Sequence, residues 1–135
     1  MNIVITEWAL QSYLDLKHAR ASTDDDYKTR IRPRAEKLKD GYPSKHEELN
    51  PENNKYWSIA TDHSGKKIKD RFKMKWHQLN DGKTNQLRLC VVIFDGEAYL
   101  CRAYTDKDKE KFEMATLKVH AEKIRSGRLT WRELL

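Results

Sequence analysis

Long apolar runs, glycine-rich segments and clusters of metal ligands are all missing from this sequence of 135 residues. No run approaches the roughly 20 apolar residues of a membrane-spanning helix, so no membrane association is expected. The N-terminal residues lack the basic and apolar regions of a secretory signal, which predicts a cytoplasmic protein. The two cysteines have neither CxxC nor zinc-finger spacing, so a disulfide framework and a structural zinc are not expected.

Motifs of several common enzyme classes are absent as well. The five glycines stand apart from one another, so no glycine-rich phosphate loop is present. GxSxG and HExxH do not occur, and the five histidines show no metal-ligand spacing. We therefore predict a protein without metal or cofactor, and nucleotide hydrolases, esterases and metalloenzymes are poorly supported.

Positive charge is what the sequence has in excess. It contains 27 Lys and Arg against 21 Asp and Glu, a formal charge of +6 at pH 7. A basic surface favours polyanionic partners through phosphate contacts and counterion release. A lysine-rich surface also simply keeps a protein soluble, so the positions of the charges have to decide between the two interpretations.

The hydrophobic pattern predicts one α+β domain spanning residues 1–135. Asn2 to Ile5 are expected to form a strand, and Thr6 to cap a helix that extends to about residue 19. A second helical segment begins at Asp24 and is interrupted at Pro33. An N-terminal strand and a helical hairpin therefore precede the rest of the sheet, and a C-terminal helix follows it.

The middle of the chain predicts a small antiparallel sheet. Strands are expected at residues 56–60, 67–76, 87–94 and 98–104. Asp95-Gly96 is a strong signal for a two-residue hairpin between the last two strands. Residues 43–55 are expected to form a polar loop and residues 80–82 a turn. The order of elements predicts that helices cover one face of the sheet.

Two further features concern packing. The hairpin places Cys90 opposite Cys101, where both serve most simply as small core residues. Thr105 and Asp108 fit a capping box at the start of the C-terminal helix. The end of the chain is too apolar for a solvated tail, so Trp131 and Leu134 are expected to dock on this chain or on a partner.

The strand at residues 67–76 carries a basic face. Its outward positions hold five cations, which are Lys67, Lys69, Arg71, Lys73 and Lys75. The alternate positions are apolar except for Asp70, and this period of two indicates a half-buried strand. Its basic face can collect phosphates, or it can be a solvated face or an edge strand that its charges protect from aggregation.

Arg88 is a charge within an otherwise apolar strand. Its burial costs free energy unless it pairs with a carboxylate or faces an open groove, and both alternatives stay open. Lys107, Lys109 and Lys111 follow the last strand and can add cations to the same groove, or form a solvated helix face. Fixed cations can promote RNA cleavage without a metal, because attack of the 2′-hydroxyl on phosphorus builds up negative charge. A Lys, Tyr or His nearby can move the proton.

Three segments resemble the RelE/ParE toxin superfamily of bacterial toxin–antitoxin systems. They are the opening strand and hairpin up to Leu38, the Leu87-Arg88-Leu89 strand with its Asp95-Gly96 turn, and the basic segment from Thr105 to Phe112. The resemblance implies a metal-independent endoribonuclease that cuts mRNA at the ribosome and is neutralised by a cognate antitoxin protein. Two alternatives stay open: a ParE-like toxin that targets gyrase without cutting RNA, and a basic nucleic-acid-binding accessory domain.

The resemblance also implies roles for individual residues. Arg88 corresponds to the strand arginine that stabilises the transition state. Residues of the preceding strand and of the segment after the last strand complete the predicted catalytic set, which is Arg88, Arg71, Lys73, Tyr104, Lys107 and Lys109. The predicted RNA-binding set is Lys67, Lys69, Lys75 and His77. A regular hairpin would place Arg88 and Arg102 on opposite faces of the sheet unless a bulge intervenes.

Overall fold

The secondary structure follows the predicted order of a strand, a helical hairpin, further strands and a C-terminal helix. The computed structural model describes residues 1–41, 46, 49–50, 55–62, 64–82 and 86–135. In chain order the elements are β1 (Asn2–Thr6), α1 (Glu7–His18), α2 (Asp24–Asp26), a π-helical turn (Tyr27–Ile31), α3 (Arg32–Glu36), a 3-10 turn (Lys37–Asp40), β2 (Trp57–Thr61), β3 (Lys67–Trp76), α4 (Leu79–Gly82), β4 (Leu87–Phe94), β5 (Glu97–Tyr104), a 3-10 turn (Lys107–Lys109), α5 (Glu110–Arg125) and β6 (Arg132–Leu134). The predicted α+β class is confirmed.

Six strands form one sheet in the order β2-β3-β4-β5-β1-β6. β1 runs parallel to β5, and the other neighbouring pairs are antiparallel. β6 extends the sheet beyond β1, where the backbone N–H of Leu135 donates to the carbonyl of Ile3 at 3.0 Å. The backbone at the end of the chain therefore pairs with β1, and Leu135 packs against the core, whereas Trp131 and Leu134, which were expected to dock, are 38% and 57% exposed.

Helices cover both faces of the sheet, so the prediction of a single covered face is wrong. The helical hairpin packs on the face that carries Phe72, Met74 and Trp76 of β3. α5 packs on the opposite face through Leu117, Ala121 and Ile124, against side chains of β4 and β5 such as Cys90, Val92 and Cys101. Coverage on both faces explains the near-continuous apolar run of β4, because a strand that is covered on both sides has no polar face.

The helical hairpin is capped as its sequence predicts. The Thr6 hydroxyl accepts from the N–H of Ala9, and Thr23 with Asp26 forms a capping box. The interruption at Pro33 takes the form of a π-helical turn, in which the N–H of Arg32 donates to the carbonyl of Tyr27. α3 then begins with this proline in its first turn, where a missing N–H is tolerated.

The turn predicted at residues 80–82 needs correction, and the loop predicted before β2 can be described only in small part. Residues 79–82 form the short helix α4 instead of a turn, since Asn80 is tied to the helical hairpin. Its backbone N–H donates to the Asp26 carboxylate at 2.9 Å and its amide to the Arg20 carbonyl at 2.6 Å. The polar loop predicted at residues 43–55 lies mostly outside the described residues.

His120 shows how α5 is fixed to the rest of the fold. Its ring stacks on Trp8 at a centroid distance of 3.9 Å, and the residue is only 7% exposed. Burial, followed by the charges of Lys123 and Arg102, lowers the pKa of His120 to about 4. The folded protein therefore holds this imidazole neutral at pH values where the unfolded chain protonates it.

Stability is accordingly expected to fall as the pH drops from about 6.5 to about 4, because the unfolded state then binds the additional proton. The contribution of His120 to this loss is at most about 3 kcal/mol, because one pKa unit corresponds to about 1.4 kcal/mol. Urea unfolding at several pH values would measure it, with His120→Phe retaining the stacking on Trp8 but not the titration. His18→Phe, at an exposed position of α1, is the control. An unchanged pH slope in His120→Phe would contradict the assignment.

Candidate nucleic-acid interface and active site

A row of three side chains crosses the α5-covered face of the sheet. Lys75 of β3 lies opposite Arg88 of β4, and Arg88 lies opposite Tyr104 of β5. Adjacent strands are about 4.8 Å apart, so the row extends over roughly 10 Å. We call Lys75, Arg88 and Tyr104 the cross-strand row.

A β-bulge creates this row. The β4–β5 hairpin begins with Phe94 opposite Glu97, and a regular register would continue to Arg88 opposite Ala103. The pairing instead shifts between Leu89 and Val91, which leaves one extra residue on β5. The shift turns Tyr104 onto the face that carries Arg88.

The turn of the same hairpin is as predicted. Asp95 and Gly96 have φ angles of 50° and 74°, the left-handed conformation that a type I′ turn requires at both positions. The bulge lies at the level of Cys90, where β5 has Cys101 and Arg102. Both cysteines are buried free thiols, and burial raises the pKa of both, which fits the predicted role as core residues.

Arg88 is buried, and the described part of the chain gives it no acidic ion-pair partner. Its residue exposure is 8%, and its guanidinium carbon lies 5.9 Å from the centroid of the Tyr104 ring. Among the residues that the structure describes, no carboxylate forms an ion pair with Arg88. The sequence allowed Arg88 either to pair with a carboxylate or to face an open groove, and the described residues do not show the carboxylate pair. A nearly buried cation that forms no direct ion pair favours binding of an anion.

Glu110, at the start of α5, connects the row to Lys73. Its Oε1 accepts from the Lys73 ammonium at 2.5 Å, and its other oxygen accepts from the Tyr104 hydroxyl. Burial on its own would raise the pKa of Glu110. The hydrogen bonds from Lys73 and Tyr104, with the charges of Lys73 and Arg88, outweigh burial and lower it, so the carboxylate is ionised at neutral pH.

The pKa values of Lys75 and Tyr104 both shift in the direction that favours the neutral form of the side chain. Burial, followed by repulsion from Lys73 and Arg88, lowers the pKa of Lys75. Burial, with the neighbouring Cys90 and the hydrogen bond to Glu110, raises the pKa of Tyr104 far above its usual range. Lys75 therefore releases a proton more readily than an exposed lysine, whereas Tyr104 stays protonated and acts as a hydrogen-bond donor.

The basic face of β3 is divided into two parts. Lys73 and Lys75 belong to the site, while Lys67 and Lys69 are exposed at the other end of the strand. Arg71, between them, is 8% exposed and pairs with Asp70 at 3.4 Å, and Asp70 also pairs with Arg125 of α5. Arg71 is thus placed in an ion-pair cluster and not beside the cross-strand row.

The other predicted site residues lie around this centre. Lys107 is exposed, and its charge contributes to the lowered pKa of Lys75. Lys109 lines a polar notch with Tyr104 and Arg102, and the Nε of Arg102 donates to Glu113 at 2.7 Å. His77 lies at the end of β3, where its Nε2 donates to the carbonyl of Lys55 at 2.5 Å. The structure therefore brings together Lys73, Lys75, Arg88 and Tyr104, with Lys107 nearby.

Glu110 is the residue that sequence reasoning missed. The capping box predicted for Thr105 and Asp108 is wrong, because Asp106 caps the preceding 3-10 turn by accepting from the N–H of Asp108 at 2.9 Å. α5 then begins at Glu110. An acidic residue in the first turn of a helix is ordinarily explained by the helix dipole, so its sequence signal was indistinguishable from that common pattern.

Across the described ranges, no group of three or more His, Cys, Asp or Glu side chains is arranged to hold a metal ion. No helix in that part of the chain has the length and apolar character to cross a bilayer. Comparison of the sequence with protein-family models gives no match, and comparison with curated proteins gives none either.

Proposed function

We propose that this chain is the toxin of a type II toxin–antitoxin system, a metal-independent endoribonuclease that cleaves mRNA at the ribosome. The observation that supports it best is Arg88, a buried guanidinium without an acidic partner among the described residues, at the centre of the cross-strand row. A phosphodiester bound there would supply the missing negative charge.

The charge balance of the site favours a phosphate over a neutral ligand. Lys73, Lys75 and Arg88 contribute three positive charges, and Glu110 contributes one negative charge. The site therefore has an excess of positive charge. Its cross-strand row is about two strand spacings wide, which suits one phosphodiester and its flanking riboses. Tyr104 borders the same place, but it is only 4% exposed and its hydroxyl donates to Glu110, so it would hold Glu110 beside the bound phosphate.

The same arrangement suits the transition state of RNA cleavage. When the ribose 2′-oxygen attacks the adjacent phosphorus, an additional negative charge develops on the phosphoryl oxygens. Arg88 is fixed by its strand and partly shielded from water, so its interaction with that charge is stronger than in bulk solvent. Lys75, with its lowered pKa, can protonate the leaving 5′-oxygen.

The proposal includes the setting in which the protein acts. A toxin of this kind works in the cytoplasm, where its substrate is mRNA and its partner is a cognate antitoxin. An antitoxin segment with acidic side chains would neutralise the toxin by covering the cross-strand row, because it would compete with RNA for the same cations.

Tightly controlled expression in bacteria, followed by mapping of the 5′ ends of cellular RNA, tests this function. We expect growth arrest together with new 5′-hydroxyl ends in mRNA, and neither effect from the Arg88→Ala variant. Co-expression of the neighbouring small gene, if it encodes the antitoxin, should restore growth.

The alternatives predict other outcomes of the same experiment. Growth arrest with intact mRNA and gyrase-linked DNA breaks would contradict the nuclease and favour a ParE-like toxin. Unimpaired growth, with binding to RNA that weakens steeply with salt, would favour an accessory nucleic-acid-binding domain.

A further inference from the structure

The site needs a group that takes the proton from the attacking 2′-hydroxyl. Lys73 and Arg88 are cations and have no lone pair to accept it. Tyr104 keeps its own proton, which it already donates to Glu110. Lys75 is needed to protonate the leaving 5′-oxygen, so Glu110 is the acceptor within the cluster, and α5 holds one of its oxygens against Tyr104 and the other against Lys73.

Other acidic groups on this side of the sheet are engaged elsewhere. Glu113 is buried and accepts from Arg102 at 2.7 Å. Asp70 pairs with Arg71 and Arg125 at the far end of β3. In the part of the chain that the structure describes, Glu110 is the carboxylate that contacts both Lys73 and Tyr104, which lie on the two strands that neighbour Arg88.

We propose that Glu110 is the general base of this site and removes the proton of the attacking 2′-hydroxyl; the inference rests on the proposed function. The 2′-oxygen forms its bond to phosphorus as its proton passes to a carboxylate oxygen of Glu110. The bond from phosphorus to the 5′-oxygen breaks, and that oxygen takes a proton from the Lys75 ammonium. The products are a 2′,3′-cyclic phosphate and a 5′-hydroxyl, and proton exchange with water returns both side chains to their starting states.

The role of Glu110 in holding α5 has to be separated from its role as a base. Glu110→Gln keeps the size of the side chain and its carbonyl oxygen, which can still accept one of the two hydrogen bonds, but it cannot take up the proton. Glu122→Gln, at an exposed position of the same helix, is the matched control.

Single-turnover cleavage should be measured from pH 5 to pH 9 on mixed-sequence single-stranded RNA and on an mRNA bound to translating ribosomes. We expect Glu110→Gln to slow cleavage about 100-fold or more, whereas Glu122→Gln should match the parent protein. Because the pKa of Glu110 lies below its usual value of 4.5, this base stays ionised over the whole range, and the rate of the parent protein should not fall at the acidic end. Binding of the same RNA with 2′-deoxyriboses should change less than about threefold, because positioning of the phosphate does not need the base.

The outcomes separate the two proposals. Glu110→Gln that cleaves within a few-fold of the parent across this pH range overturns the role of Glu110 and leaves the proposed function standing. An equal loss of cleavage and of binding to the deoxy analogue also overturns it, since Glu110 then acts by holding α5. No cleavage of either substrate by the parent protein overturns both proposals.

Discussion

Replacing Arg88 with alanine is expected to reduce RNA cleavage about 1,000-fold while leaving the fold intact, because this guanidinium has no acidic partner to abandon among the described residues. Removal of a nearly buried charge relieves a desolvation cost but also removes the attraction of Arg88 for the Glu110 carboxylate, so the stability of Arg88→Ala should stay close to that of the parent. Arg88→Lys keeps the charge but loses the planar fork, and we expect an intermediate rate. Single-turnover kinetics and urea unfolding measure the two effects.

Arg71 offers a matched control for this variant. Both arginines are 8% exposed and lie on the same face of the sheet, but Arg71 pairs with Asp70. Arg71→Ala should therefore lower stability by about 1–3 kcal/mol and leave cleavage within a few-fold of the parent. A reversed result, in which Arg71→Ala abolishes cleavage and Arg88→Ala only destabilises, would contradict the placement of the site.

The parts of this fold with a local cause could be predicted from the sequence. β3 spans Lys67–Trp76 and β4 spans Leu87–Phe94, as the alternation and the apolar run predict. The Asp95-Gly96 turn depends only on the φ angles of its two residues, so its signal is equally local. These features place Lys73 and Lys75 of β3 on the same face as Arg88, which accounts for about half of the candidate site.

The other half depends on contacts between distant segments. The bulge at Cys101 and Arg102 has no signature in the sequence of β5, although it decides that Tyr104 faces Arg88. Arg71 looks equivalent to Lys73 in the alternation of β3, and only the approach of α5 gives its neighbour Asp70 a second partner in Arg125. The order of elements along the chain predicted helices on one face of the sheet only, so it did not indicate that α5 packs on the second face.

The largest loss of stability is expected from replacement of Trp76. Its ring lies on the opposite side of β3 from the cross-strand row. Trp76 is fully buried, and its Nε1 donates to the carbonyl of Arg30 in the helical hairpin at 3.0 Å. Arg34 lies over the ring at 5.1 Å and donates to the backbone carbonyl of Lys75. The hairpin thus holds the strand position that carries Lys75.

Trp76→Ala is expected to lower the free energy of unfolding by about 4 kcal/mol, a large part of the roughly 5–15 kcal/mol typical of a domain. Trp76→Phe keeps an aromatic ring without the hydrogen bond and should lose less, and Trp131→Ala, at a position 38% exposed, should change stability by under about 1 kcal/mol. Urea unfolding followed by circular dichroism measures all three. A loss below about 1 kcal/mol for Trp76→Ala would mean that the hairpin does not hold this strand. In that case the position of Lys75 would have to depend on α5 and β4 alone.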